Sequence, residues 1–241
     1  MGADQAGERA VFGDIGELAL AATIFVLSHV GISSTPLRSW LLGHLGERLY
    51  LGLYSLLSAL LLVWVVMAWQ AAPVVVLWEP LTFWRHLPYG VMAICCVLLV
   101  GGQTAPNPSL AGRPVAGGWH PQGVLTVTRH PMLWAIGLWA LVHIPANGDL
   151  ASLVLFASMA GLAFAGILSI ERRKAREAPA LWQAVRAQTS ILPLLALLQG
   201  RARLGPVRPW AVAGLGGLVL YVIFILVHPF IAGVAVPSPF S

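Results

Sequence analysis

The chain has 241 residues, of which 58% are hydrophobic and only 10% charged. A soluble domain carries roughly 25% charged residues, so this composition excludes an ordinary soluble enzyme and points to a polytopic membrane protein. The formal charge of +5 and the pI near 9.9 do not argue for nucleic acid, because the excess lies in one loop and sets orientation instead.

Apolar windows of about 20 residues fall at 15–35, 49–71, 87–104, 131–147, 150–170 and 209–232. Residues 1–14 mix acidic and basic side chains (Asp4, Glu8, Arg9, Asp14) and lack a basic leader region and cleavage site. The first apolar run therefore reads as a retained span behind a short tail. Cys95 and Cys96 are adjacent within the third run. Vicinal cysteines rarely pair and no CxxC spacing exists, so a disulfide framework is excluded. Residues 105–121, APNPSLAGRPVAGGWHP, form the longest irregular stretch and deliver the chain to Arg129-His130-Pro131. After the fifth run comes a charged stretch, 171–190, expected to be mainly a solvated helix, then ILPLLALL (191–198). That segment is too short to span and is expected to be re-entrant or interfacial.

Lysine and arginine counts orient the spans. The connections at 36–48, 105–130 and 171–208 carry twelve of these residues, against two on the alternate side. The positive-inside rule then puts both termini outside and the 171–208 loop in the cytoplasm. The expected fold is an all-α transmembrane bundle of about six spans, one domain over 15–232 between tails 1–14 and 233–241. Lipid is the expected surrounding partner, nucleic acid is not expected, and oligomeric state is not readable.

Four of the seven histidines lie in or at the edges of spans: His29, His130, His143 and His228. Ionisable groups in hydrocarbon are costly and mark either a site or a paired polar contact. His130 and His143 are thirteen residues apart, which is roughly 20 Å along a straight helix with directions about 220° apart. They cannot share one metal. A two-histidine cradle for a haem iron needs His143 and a partner from another helix. Depths of about 13 Å for His29, 20 Å for His143 and 27 Å for His228 leave His29 and His228 both open as that partner. Arg129 and His130 stand at the start of the fourth run, where free amides and the positive helix end favour anions. They read as a clamp for a carboxylate, phosphate or propionate, or else as an orientation anchor with a capping imidazole. Glu171 is the acidic residue nearest the fifth run and is expected to face the bundle, paired with Arg129 or Arg172.

Three segments carry a resemblance. LSHVGISSTPLRSW (27–40), GVLTVTRHPMLWAIGLWALVH (123–143) and ERRKAREAPALWQAVRAQTSILP (171–193) resemble the opening, central and closing blocks of NnrU-type membrane proteins. That family includes the 15-cis-ζ-carotene isomerases. The resemblance implies haem b held by axial ligands corresponding to His143 and His29, which favours His29 over His228 as the partner of His143 and leaves His228 as the alternate. It also implies isomerisation of a cis double bond in a polyene or similar lipophilic substrate when the iron is reduced. Ala140 stands where the isomerases carry a cysteine one turn before the second histidine. The NnrU branch is associated with bacterial denitrification, which implies a haem sensor or an accessory of nitrogen-oxide respiration in a bacterial inner membrane. Arg129-His130-Pro131 followed by Glu171 is also similar to the isoprenylcysteine carboxyl methyltransferases, in which the segment holds S-adenosylmethionine. That resemblance departs at Arg172, where the methyltransferases have a second glutamate.

Overall fold

In the computed structural model, residues 2–33, 35–110 and 118–233 are described, with side chains from residue 15 onward. The expected tail 233–241 lies almost wholly outside them, as does Arg113 of the 105–121 stretch. The helices, in chain order, are α1 (Gly2–Ser33), α2 (Pro36–Ala71), α3 (Thr82–Thr104), α4 (Pro131–Asn147), α5 (Leu150–Glu177), α6 (Pro179–Gln188), α7 (Leu195–Leu198) and α8 (Val207–Ala232). A single 3-10 turn, Gly123–Thr126, precedes α4. No strand occurs among the described residues, so the all-α architecture read from the sequence holds.

Five of these helices (α1, α2, α3, α5 and α8) are long and apolar enough to cross a membrane. The sixth expected span is α4, whose 17 residues sit at the lower limit of a crossing helix. The helices differ from the expected runs mainly at their ends. The chain from Gly2 already belongs to α1, so the expected tail is helical. The expected 36–48 loop is helical too: Thr35 accepts from Leu37 N, Pro36 occupies the first turn, and the helix is interrupted only at Gly46. Gly46 has φ +73°, a conformation that side chains resist. The fifth run extends as α5 through the charged residues to Glu177. The segment at 191–198 forms one short turn, α7, with Leu192, Leu194 and Leu198 exposed.

The chain gathers into two compact units. The first comprises Met1–Leu87, Ala140–Leu162 and His228–Ser241; the second comprises Pro88–Trp139 and Ala163–Val227. In the first unit α1 packs antiparallel to α2, with Trp64 donating to Glu17 near one end and the Tyr54 ring against His29 near the other. Its buried face includes Leu18, Ala21, Phe25, Tyr50, Val65, Phe156 and Met159. The Val76–Asp149 bridge ties the 72–81 connection to the α4–α5 turn. Gly148 O accepts from Leu77 N (2.8 Å) and Trp78 N (3.1 Å), and Asp149 caps α5 through Ser152 N (2.8 Å).

The second unit has a core of Cys95, Leu98, Val124, Ala135 and Ala213, with Trp134, Trp139 and Trp210 against it. Without water between apolar helices, close packing of small residues replaces the hydrophobic drive. Gly217 shows this on α8, where an added Cβ would lie 2.8 Å from the Val97 Cα of α3.

The turn at Gly148 has φ +78°, and a Cβ there would meet the Trp78 carbonyl oxygen at 2.2 Å. Gly148→Ala is expected to cost about 2–4 kcal/mol, lowering the unfolding midpoint in detergent. Gly161→Ala, a helical position with nothing within 4 Å, is expected to hold stability or raise it by up to about 1 kcal/mol.

Candidate functional site

The polar centre of the second unit forms where α4 begins. Residues 127–134 are laced to the loop after α6. Arg129 N donates to Ser190 O (3.1 Å), Leu194 N to Val127 O (2.8 Å), Thr128 Oγ1 to Ile191 O (2.7 Å) and the Trp134 indole to Ile191 O (2.8 Å). Leu194 adopts φ +68°, the one non-glycine with positive φ among the described residues. From the other side, Ser109 Oγ donates to Arg129 O (2.7 Å), and Ser109 is itself set by Asn107 (2.9 Å). These bonds fix the backbone from which Arg129 and His130 project.

Both side chains turn to Glu171 on α5. Arg129 Nε donates to Oε1 (2.6 Å) and Nη2 to Oε2 (3.1 Å), a bidentate pair, while Nη1 reaches Thr189 O (3.3 Å). His130 Nε2 donates to Oε1 (2.8 Å). From α6, Arg186 brings Nε (3.0 Å) and Nη2 (2.8 Å) to Oε2, and the Trp182 indole lies 3.4 Å away. Arg201 holds the end of α6 through the carbonyls of Arg186, Ala187 and Thr189. Arg129, His130, Glu171 and Trp182 are buried, whereas the Arg186 side chain is 47% exposed.

The expected pairing of Glu171 is thus with Arg129. The anion clamp expected at Arg129 finds its guanidinium already engaged by an internal carboxylate, because α5 carries Glu171 back to the start of α4. Two members were not singled out from the sequence, Arg186 and Trp182. Nothing local marked Arg186 among the arginines of that stretch, and the burial of Trp182 and Val185 on α6 shows only in the fold.

The imidazole of His130 is the titratable member whose second nitrogen the cluster leaves open. Burial pushes it below its ordinary range, against the opposing pull of the Glu171 carboxylate, and the Arg129 charge adds to the lowering. The neutral ring carries its proton on Nε2, toward the carboxylate. Its Nδ1 is buried and has no hydrogen-bond partner among the described residues.

His29 and His143, with His228, belong to the first unit. His29 Nδ1 donates to Phe25 O (2.8 Å), and its ring lies 4.3 Å from Phe25 and 5.6 Å from Tyr54. The His143 ring is 5.1 Å from buried Phe156. His44 and His86 make the same bond to the carbonyl four residues back, so that bond is ordinary helix geometry. His44 also lies 4.3 Å from a ring, that of Trp40, so what distinguishes His29 is the second ring, Tyr54 of α2, and its half-burial. Among the described residues no three His, Cys, Asp or Glu side chains gather as a metal-binding group. A family model described as NnrU protein matches residues 17–236.

The chain belongs to the NnrU family. No curated protein and no solved structure matches it. Each half of this NnrU chain's sequence signature falls in one unit. The Arg-His-Pro motif and Glu171 meet in the second, and His29 and His143 share the first.

Glu171→Ala strips the anion from a buried guanidinium and is expected to cost about 3–5 kcal/mol. Arg186→Ala, at a half-exposed position, is expected to cost less than about 1 kcal/mol. Thermal unfolding in detergent ranks the two. The His130 imidazole has a lower affinity for protons when folded than when unfolded, where its pKa is near 6.5. The unfolded state therefore binds the extra proton first as pH falls below that value, and stability declines until the folded imidazole protonates as well. His130→Gln is expected to flatten this part of the decline, read as unfolding midpoints between pH 7.5 and 5.

Proposed function

We propose that this NnrU-family protein is a haem b-binding integral membrane protein in which His29 and His143 hold the iron. The observation that carries the reading is the surroundings of the two imidazoles within one apolar unit. His29 has its Nδ1 committed to Phe25 O, which leaves Nε2 as the donor nitrogen. A ligating histidine ordinarily donates its other ring N–H to a carbonyl or carboxylate. Phe25, Tyr54 and Phe156 supply aromatic walls beside the two rings. This donor set fits haem iron, which takes neutral imidazole in a site closed to water. His228 is the alternate to His29 as the partner of His143.

When bound, haem supplies an iron whose ligation changes with redox state. The protein's own contribution is to orient the imidazoles and to exclude water with apolar side chains. The activity that the resemblance implies, isomerisation of a polyene, is supported by an open groove of about 350 Å³ between α1 and α5. Ala19, Ala22, Val26, Val154, Ala157 and Gly161 line it together with the hydroxyls of Thr23 and Ser158, a mostly apolar surface for a hydrophobic chain entering from lipid. Ala140, fully buried, offers no thiol to the iron. A haem sensor or accessory of nitrogen-oxide respiration in a bacterial inner membrane is the alternative use of the same site.

A second reading rests on the second unit. The Arg129–His130–Glu171 cluster favours a cofactor clamp, for which S-adenosylmethionine is the candidate. It predicts a colourless protein stabilised by that cofactor and indifferent to His29→Ala.

The absorbance spectrum of the detergent-purified protein, made with ample haem, separates these. Wild type is expected to show a Soret band that sharpens on dithionite reduction, and His29→Ala and His143→Ala are each expected to lose most of it. Retention in His29→Ala with loss in His228→Ala moves the partner of His143 to His228. A colourless wild type overturns the proposal.

A further inference from the structure

The start of α4 holds an acceptor and two donors that do not satisfy one another. The first bond within the helix runs from Trp134 N to His130 O (3.0 Å). Pro131 has no N–H, and the amides of Met132 and Leu133 precede the first residue that can find an intrahelical acceptor. His130, the residue before the helix, is where a side-chain acceptor ordinarily caps those amides. Its backbone N–H goes instead to Thr128 Oγ1 (3.3 Å), and its Nε2 is drawn to Glu171 (2.8 Å). The ring is thereby held with Nδ1 beside its own Cβ at the helix start, and among the described residues that nitrogen is buried without a partner.

Glu171 determines what the nitrogen can do. With Arg129 and Arg186 both on the carboxylate, the cluster already carries one positive charge in excess. A further proton on His130 would add a second. The imidazole is therefore neutral with its lone pair on Nδ1, an acceptor, and a buried acceptor without a donor is rare enough in proteins to call for an occupant. A carboxylate ligand lacks the proton that Nδ1 needs. An ammonium has the proton but nothing to offer the amides, and it would meet the positive end of α4. A hydroxyl does both. Its O–H donates to Nδ1 and its oxygen accepts from the Met132 or Leu133 amide. Because α4 begins at the edge of an apolar helix, the bilayer supplies such a group on a lipophilic chain.

We propose that His130 and the first turn of α4 form a binding site for the hydroxyl of a membrane-soluble alcohol, with Glu171 as the positioning residue that fixes the imidazole. The site lies in the second unit and does not depend on the iron reading. Glu171 touches the ring and not the ligand, so its role is the choice of tautomer.

Nitrogen-15 NMR of the full-length protein, histidine-labelled in detergent, tests this on the wild type, with His130→Gln identifying the signal. The probes are 1-octanol and octyl methyl ether, which match in apolar character but differ in the O–H. The expected result is an unprotonated Nδ1 that shifts upfield with 1-octanol in a saturable manner and stays fixed with the ether. A protonated Nδ1, an equal response to both probes, or a signal already hydrogen-bonded and insensitive to the alcohol (a trapped water) would each overturn the proposal. Glu171→Gln is expected to populate the other tautomer and weaken the 1-octanol response at least several-fold. An unchanged tautomer in a folded Glu171→Gln would remove the positioning role.

Discussion

A carboxylate taken out of water must regain from the protein what hydration supplied, or its burial costs several kcal/mol. Glu171 regains it from two arginines, an imidazole and an indole, drawn from the start of α4 and from α6. The consequence runs both ways. The donors satisfy the carboxylate, and the carboxylate gathers three separate stretches of chain to within hydrogen-bonding distance of one side chain. Around it the 127–134 and 189–194 backbones bond to each other, and Arg201 secures the end of α6. Such a cluster is a weak source of net stability, since the desolvation of each charge offsets the attraction. It is strong as a specification, because few other arrangements satisfy so many donors at once.

The two units differ in chemical character, and that difference organises the functional readings. In the first, Ser152 is the one buried polar side chain among the described residues, and His29 and His143 stand against aromatic rings on apolar helices. In the second, charge is concentrated at helix ends and the apolar core is sealed by small residues. A hydrophobic cofactor suits the former and a small polar contact suits the latter. One family motif, read linearly from Arg129 to His143, thus spans two environments whose physical demands are opposed.

Much of this was legible in the sequence because lipid imposes a strict grammar. Twenty apolar residues in a row have few fates, and the 131–147 run becomes α4 with the expected bounds. Glu171 was legible as inward-facing because it is the first charge after an apolar run. What escaped was non-local. The 36–48 stretch was expected only as a connection, whereas Pro36 starts a helix there and Gly46 interrupts it without ending it. Arg186 lies among other arginines, and only the return of α6 across Glu171 selects it. Arg129 looked outward from the sequence because helix starts attract anions, but the anion is the chain's own.

The glycines of the second unit set a limit on where anything else can fit. With Gly217 bringing α8 against the Val97 backbone, and Gly216 and Gly101 meeting Val100 and Val124, the helices there touch almost main chain to main chain. A flat macrocycle inserted between α3 and α8 would have to part helices packed too closely to admit even a Cβ at Gly217. Any guest of that unit must therefore be small, or must enter where the helices end. The closeness of this seam comes from missing methyl groups rather than from any side chain that is present.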